Sequence, residues 1–390
     1  MRGHVHRRGK TWSYVVDVGR DPATGRRRQH TKGGFPTKKT AESALNEALG
    51  AVGSGSFVAR DPQTVAEWID RWLISMEPKI GPSTLCDYGK GLHRVRDHLG
   101  HVKLQDLKPL DVEALYAELL REGHRYGGGL SPKTVRNLHI ALRRSLADAE
   151  RFGLVTRNVA ALVKAPVPPR AELRTWTPDE TRTFLASVEG DRLAAAWRLL
   201  IATGMRRGEL LGLRWAVVDL KNSRVQINRS LSVVGNELVW SAPKTARSRR
   251  IVSIDAETTR ALQTHRKRQL EERVAAGEEW TDNDLVFCNQ LGKEQHPDRF
   301  SRAFTQAERR AGVPMIRLHD LRHTWATLAL QAGVHPKVVS ERLGHATTSI
   351  TLDIYSHVQP ELDAQAATTV AQLFDPIPDP LTIASGTEHR

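Results

Sequence analysis

A multidomain α+β fold is what these 390 residues predict: a small N-terminal β-sheet-plus-helix unit, an all-α helical unit, and a mainly α unit with a small antiparallel sheet. Three observations predict it. The chain is longer than one ordinary domain of about 100–200 residues. Two stretches interrupt it, VGSGS at 52–56 with the composition of a flexible linker and the proline-rich KAPVPPRAELR at 164–174. Across these breaks the hydrophobic rhythm changes from strand alternation to helical spacing, and then to a mixture of both.

The first unit spans residues 1–55. TWSYVVDVG alternates as a strand does, DPATG is a turn signal, and RRRQHTKGGF reads as a basic partner strand. TKKTAESALNEALG follows as a short helix, with Gly50 expected to close it. Arg26, Arg27 and Arg28 make the returning strand a candidate for contact with a phosphate backbone.

The second unit spans residues 60–165. Thr64 to Glu67 forms a capping box, and Val65, Trp68, Ile69 and Trp72 then fall on one helical face. Further helices are expected from near Ser83, from near Asp111 (with Val112, Leu115, Tyr116 and Leu119 inward), and from SPKT, where Ser131 caps and Pro132 opens the first turn. That last helix stops at Gly153. Its basic side, Lys133, Arg136, Arg143 and Arg144, suits a phosphate backbone, whereas the aromatic residues at helical spacing read as core.

The third unit spans residues 175–374. TPDE at 177–180 caps its first helix. Helices, a basic strand region at 224–254, more helices, a short apolar strand at LVFC and final helices follow in order. ELDAQAATTVAQLF is an amphipathic helix suited either to docking on a neighbouring subunit or to closing its own domain. The tail at 375–390 lacks periodicity and reads as disordered.

Charge narrows the function. There are 58 Lys and Arg against 44 Asp and Glu, net +14. Residues 1–60 hold twelve of the basic and four of the acidic residues, so more than half the surplus lies in the first sixth of the chain. Such a surplus points to a polyanionic partner. No apolar run nears the ~18 residues that span a bilayer, and no apolar segment follows the basic N-terminus as in a signal peptide. The expected partner is therefore nucleic acid rather than lipid. Two distant cysteines, Cys86 and Cys288, make neither a disulfide framework nor a CxxC metal knuckle, and fit a reducing cytoplasm.

Four stretches carry possible chemistry. In TGMRRGELLGLRW, Gly204 breaks a buried helix and Arg206 falls in the first turn of the next. There the free N–H groups favour an anion, and Glu209 lies one turn on to hold the guanidinium. WSAPKTARSRRIVSI reads as a β-hairpin with Lys244 near its tip, where a lysine can protonate a leaving alkoxide. HDLRH places His319, Arg322 and His323 on one helical face. LGHATTSITLDIYSHV brings His345 after a helix end and Tyr355 in a short apolar segment, where nearby cations would favour the phenolate.

His319, His323 and His345 could be offered to zinc, which wants three protein ligands and an open position. Against that, Arg322 would stand between two ligands. Asp320 occupies the place where an HExxH enzyme keeps its glutamate, and Arg206 and Lys244 would be left without a task. A phosphate uses all of them: arginines on the non-bridging oxygens, histidines as hydrogen-bonding or proton-moving groups, a lysine as acid and a tyrosine as nucleophile. No metal and no cofactor is required in this reading. A zinc hydrolase and a non-catalytic DNA-binding regulator are the rival readings.

Taken in order and approximate spacing, Arg206 in TGMRRGEL, Lys244 in PKT, His319 and Arg322 in HDLRH, His345 in LGH and Tyr355 in DIYSH resemble the tyrosine recombinase family of phage-integrase type. The resemblance covers the third unit, about half the chain. It implies a catalytic domain at 175–374, an arm-site DNA-binding domain at 1–55 and a helical core-binding domain at 60–165. It further implies a cytoplasmic site-specific DNA recombinase that cuts and rejoins strands through a 3′-phosphotyrosyl intermediate, to integrate or excise a mobile element such as a prophage. Implied partners are double-stranded DNA at core and arm sites, three further copies of the chain in a homo-tetramer on DNA, and an accessory host factor and excisionase. The type IB topoisomerases share nearly the same chemistry; the small basic domain in front favours the recombinase.

Overall fold

Strand alternation in residues 11–20 sets the architecture of the N-terminal region, since it puts Tyr14 and Val16 on one face of a sheet. The structure, a computed structural model, describes residues 3–20, 25–54, 57–124, 126–169, 173–241 and 249–344. It separates into two compact units, residues 1–171 and 172–390.

In the first unit β1 (Gly3–Arg8), β2 (Thr11–Arg20) and β3 (Arg27–Phe35) form an antiparallel sheet in that order. Helix α1 (Lys38–Gly53) covers it, and Leu45 and Ala48 bury against Tyr14 and Val16. Strand β1 has no clear signal of its own. GHVHRR holds a single strong β-former, Val5, and the strand exists because it pairs with β2, Val5 facing Tyr14. Gly50 does not close α1 as expected. The helix continues to Gly53, and the Ser54 N–H caps the Gly50 carbonyl at 2.9 Å. A helical glycine costs only about 1 kcal/mol, and Leu49 and Val52 on either side pack on the core.

Further along this unit α2 (Val65–Met76), α3 (Pro82–Leu99), α4 (Pro109–Glu122) and α5 (Pro132–Arg151) surround a second core. The capping box at Thr64 is present, with the Glu67 carboxylate accepting the Thr64 N–H at 2.8 Å. Trp68 and Trp72 are core residues. Their indole N–H groups donate to Ser145 (2.9 Å) and Asp148 (2.7 Å), tying α2 to α5.

The second unit contains α6 (Pro178–Ser187), α7 (Ala194–Thr203), α8 (Arg207–Leu211), β4 (Val218–Asp219), β5 (Arg224–Ile227), β6 (Ser230–Val234), β7 (Glu237–Ser241), β8 (Arg250–Ser253), α9 (Ala256–Ala276), α10 (Pro297–Ala311), α11 (Asp320–Gln331) and α12 (Pro336–Leu343). Trp176, Phe184, Trp197, Phe300 and Phe304 pack as neighbouring rings, 4.5 Å between centroids at Trp197 and Phe300. They lock α6, α7 and α10 together.

Two expectations need correction here. The strands flanking Lys244 are not partners in one hairpin: β7 pairs with β6, and β8 pairs with β5. The tight turn at Gly235, with φ of 63°, closes β6 on β7 first. LVFC is buried but forms isolated bridges instead of a strand. Its backbone groups bond elsewhere: the Val286 N–H donates to the Leu213 carbonyl, and the Leu285, Val286 and Cys288 carbonyls accept from Gln269, His265 and Arg192 side chains. Residues 361–374 and the tail at 375–390 lie outside the described residues.

One buried acid stands out in this unit. Glu308 on α10 is fully enclosed; one carboxylate oxygen accepts the Ile316 N–H at 2.9 Å, and the other has no hydrogen-bond partner among the described residues. Burial pushes its pKa up to about 7; the Ile316 N–H opposes this and nearby Asp320 adds to it. A carboxyl raised on folding stays protonated in the native state while the unfolded chain ionises, so its contribution to stability declines as pH rises from about 4.5 to about 7. Glu308→Gln keeps the acceptor and removes the titration. Urea unfolding across pH 4.5–8 is expected to show the variant gaining on the wild type by on the order of 1–3 kcal/mol over that window; a constant difference would show that Glu308 does not titrate there.

Candidate active site

Gly204 ends α7 in the left-handed region at φ of 62°, where a Cβ would stand 2.6 Å from Leu343. Glycine is therefore required by both backbone and space, and the chain turns there directly into Arg206, the cap of α8. The Arg206 N–H and guanidinium Nη1 both donate to Glu209, each at 2.9 Å, and Nη2 reaches the Gly344 carbonyl at 3.4 Å. Helix α8 is one short turn, and Glu209 already takes the cap N–H. The anion attraction expected of a helix N-terminus thus falls to the arginines instead.

Glu209 is only 6% exposed and is gripped by a second arginine, Arg250, which the sequence reading did not single out. Arg250 Nη1 and Nη2 donate to the two Glu209 oxygens at 3.1 and 2.8 Å, and Nε donates to the Arg342 carbonyl at 2.7 Å. Burial alone would raise the Glu209 carboxyl. The Arg250 hydrogen bonds and charge, with those of Arg206, outweigh it and hold the group below the usual carboxylate range. A signal for Arg250 did exist in the sequence. Alternation places it on the same side of β8 as buried Val252, and an arginine at an inward strand position needs a buried partner.

Arg322, 3% exposed on α11, donates from Nη1 to the Gly204 carbonyl at 2.9 Å and from Nη2 to the Leu343 carbonyl at 2.7 Å. It joins the turn before Arg206 to the end of α12. His319 starts α11, and its ring stands nearly perpendicular to His323, 5.3 Å between centroids. Desolvation, then His323 and Arg322, lower the His319 pKa to about 4 against the smaller pull of Asp320. His319 is itself exposed, which moderates the desolvation, so the direction matters most: a neutral imidazole at pH 7, able to accept a proton. Asp320 is occupied otherwise. The Arg317 N–H, Nε and Nη2 all donate to its carboxylate at 3.0, 2.9 and 2.9 Å.

The fold thus brings Arg206, Glu209, Arg250, His319 and Arg322 to the end of α12. Gly344 closes that helix at φ of 69°. His345 and Tyr355 follow it, and Lys244 lies between β7 and β8; all three are outside the described residues. Among the described residues no group of three or more His, Cys, Asp and Glu is arranged to hold a metal.

The candidate DNA-contacting residues divide. Lys133, Arg136, Arg143 and Arg144 are all exposed along one side of α5, and Arg144 also donates to the Tyr88 hydroxyl at 3.1 Å. Arg26, Arg27 and Arg28 are exposed too, but strand alternation turns Arg27 and Arg28 to opposite faces of the sheet, with Arg27 leaning 4.0 Å from Asp17.

Residues 174–361 match the Phage integrase family. Residues 4–52 match an Arm DNA-binding domain, and residues 64–120 a Phage integrase, N-terminal SAM-like domain. A "Tyrosine recombinase XerC-like" protein of Caldanaerobacter subterraneus subsp. tengcongensis is 30% identical over 94% of this chain and 97% of its own length. The chain belongs to the tyrosine recombinase family. This recombinase is also 28% identical to an integrase of Streptomyces ambofaciens, over 90% of each chain. The recombinase shares its fold with the Tn1549 transposon integrase solved with a circular intermediate DNA (19% identity, TM-score 0.65, covering 79% of this chain and 100% of that one). It shares it also with a lambda integrase dimer solved on a COC′ core site (17% identity, TM-score 0.55, 90% and 94%). It is a tyrosine-type site-specific DNA recombinase, an integrase, and no helix among its described residues is long and apolar enough to cross a membrane.

The His319 environment can be checked directly. In the free recombinase, the His319 imidazole resonance assigned by loss in His319→Gln is expected to titrate well below 6.5, with the ring neutral from pH 6 upward. A midpoint at or above the ordinary histidine value would contradict the electrostatics described here.

Proposed function

We propose that this recombinase integrates or excises a mobile element by a 3′-phosphotyrosyl route in which each motif residue has a separate task. The Tyr355 hydroxyl oxygen attacks the scissile phosphorus and forms the P–O bond to tyrosine. The bond to the 5′-oxygen breaks, and Lys244 donates the proton which that oxygen takes up. Arg206 and Arg322 stabilise the added charge on the non-bridging oxygens, and His345 donates a hydrogen bond to one of them. His319 accepts the proton from Tyr355. Glu209 holds Arg206. One phosphodiester is exchanged for another of similar energy, so the severed strand can be rejoined by reversal without ATP or a metal.

The observation that supports this reading most is the meeting of two guanidiniums at the end of α12. Arg206 reaches the Gly344 carbonyl and Arg322 the Leu343 carbonyl, at the point where the chain runs on to His345 and Tyr355. A neutral His319 beside them is in the protonation state a base requires.

In this reading residues 1–55 bind accessory arm sites, residues 60–165 bind the core site through the basic side of α5, and residues 175–374 carry the chemistry. Four copies assemble on two duplexes in the cytoplasm, since four strands must be cut to exchange both partners. Lambda integrase has been solved as a tetramer on a Holliday junction (18% identity, TM-score 0.54), which supports the same assembly here. A host factor and an excisionase would set the direction.

Tyr355→Phe removes one hydroxyl. On a nicked duplex carrying the element–chromosome junction beside its own gene, with EDTA present, it is expected to bind as the wild type does and form no covalent adduct. An adduct formed by the variant would remove Tyr355 from its role. Deletion of residues 1–55 is expected to weaken binding to arm-site duplexes at least about tenfold while leaving cleavage of the core-site duplex near the wild-type rate; equal loss of both would reject the division of labour.

A further inference from the structure

The motif residues do not account for Arg250, a buried arginine whose guanidinium is engaged by Glu209 and by the Arg342 carbonyl. Its three donor nitrogens all face inward. Two grip both oxygens of Glu209, and the third holds the Arg342 carbonyl in the last turn of α12. Gly344 packs against the same guanidinium, where a Cβ would stand 3.1 Å from Nη1. The residue also opens β8, the strand that follows the segment bearing Lys244.

We infer that Arg250 is a positioning residue for strand cleavage, acting through Glu209 on Arg206 and through the Arg342 carbonyl on the last turn of α12. This rests on the reading of the site given above.

Two physical effects follow from the geometry. The first is placement. Arg206 is 40% exposed and its direction depends on a carboxylate; Arg250 fixes that carboxylate from behind, by a two-pronged contact that allows one orientation. The second is charge. Glu209 alone with Arg206 would make a neutral pair at the place where a phosphate needs a cation. Shared between two arginines, the carboxylate leaves the cluster with one net positive charge, and Arg206 remains effective toward an anion. Lysine cannot substitute, because one ammonium on a flexible stem cannot span both Glu209 oxygens and the Arg342 carbonyl in fixed directions.

The test compares Arg250→Lys, Arg206→Ala and the double variant on the junction duplex. It reads duplex affinity by gel shift, the single-turnover cleavage rate at saturating protein, and thermal unfolding. Arg250→Lys is expected to fold and to bind the duplex within about twofold of wild type. It is expected to cleave about 10- to 100-fold more slowly, the scale on which misplacement of a reacting group acts. The double variant is expected to cleave no more slowly than Arg206→Ala, because both changes disable one device.

Cleavage by Arg250→Lys at the wild-type rate, or losses that multiply in the double variant, would overturn the inference while the site stands. An Arg206→Ala variant that cleaves normally would overturn the reading of the site and this inference with it. If both Arg250→Lys and Arg250→Met fail to fold, the residue belongs to the core and the inference is likewise overturned.

Discussion

A single buried carboxylate, Glu209, organises the cationic site of this recombinase. Bringing a carboxylate out of water costs several kcal/mol, and removal of one partner from a buried ion pair typically costs about 3–5 kcal/mol. Two guanidiniums and one backbone N–H offset that cost here, and they come from two separate stretches of chain: the cap of α8 and the first residue of β8. Because Arg250 also holds the Arg342 carbonyl, the end of α12 is bound to the same cluster. The site is therefore a junction at which several elements end together, each held by the charge of the others.

The rest of the unit makes such a junction possible. The ring cluster of Trp176, Phe184, Trp197, Phe300 and Phe304 fixes α6, α7 and α10. The N–H of Trp176 donates to the Thr324 hydroxyl on α11, and its indole N–H to the Pro314 carbonyl, so the helix that bears Arg322 is joined to the same core. Arg322 then ties α11 to Gly204 and Leu343. Rigid apolar packing thus sets the spacing of polar groups which, left in solution, would repel one another. The depressed pKa of His319 is one consequence: desolvation comes first, and the surrounding cations add to it.

Much of this was legible in the residues. Capping boxes at Thr64 and Thr177, proline at the opening of α5 and alternation in β2 are local signals, because each depends on hydrogen bonds or faces within a few residues. The Arg206–Glu209 contact was readable for the same reason, lying within one turn. The errors share a cause as well. Gly50 was expected to stop α1, but the packing of Leu49 and Val52 outweighs a glycine's small helical penalty. The strands around Lys244 were expected to pair with each other, but partner choice in a sheet is a long-range matter.

The order and chemical types of the motif residues, the basic surplus and the helical signals are written in the sequence alone, because covalent spacing and local hydrogen bonding determine them. The sharing of Glu209 between Arg206 and Arg250, the bridge from Arg322 to two carbonyls and the neutral state of His319 were decided only by the tertiary structure. The first two arise from groups 21 to 118 residues apart in sequence brought within hydrogen-bonding distance, and the third from desolvation ahead of any nearby charge; nothing local in the chain encodes that proximity or that burial.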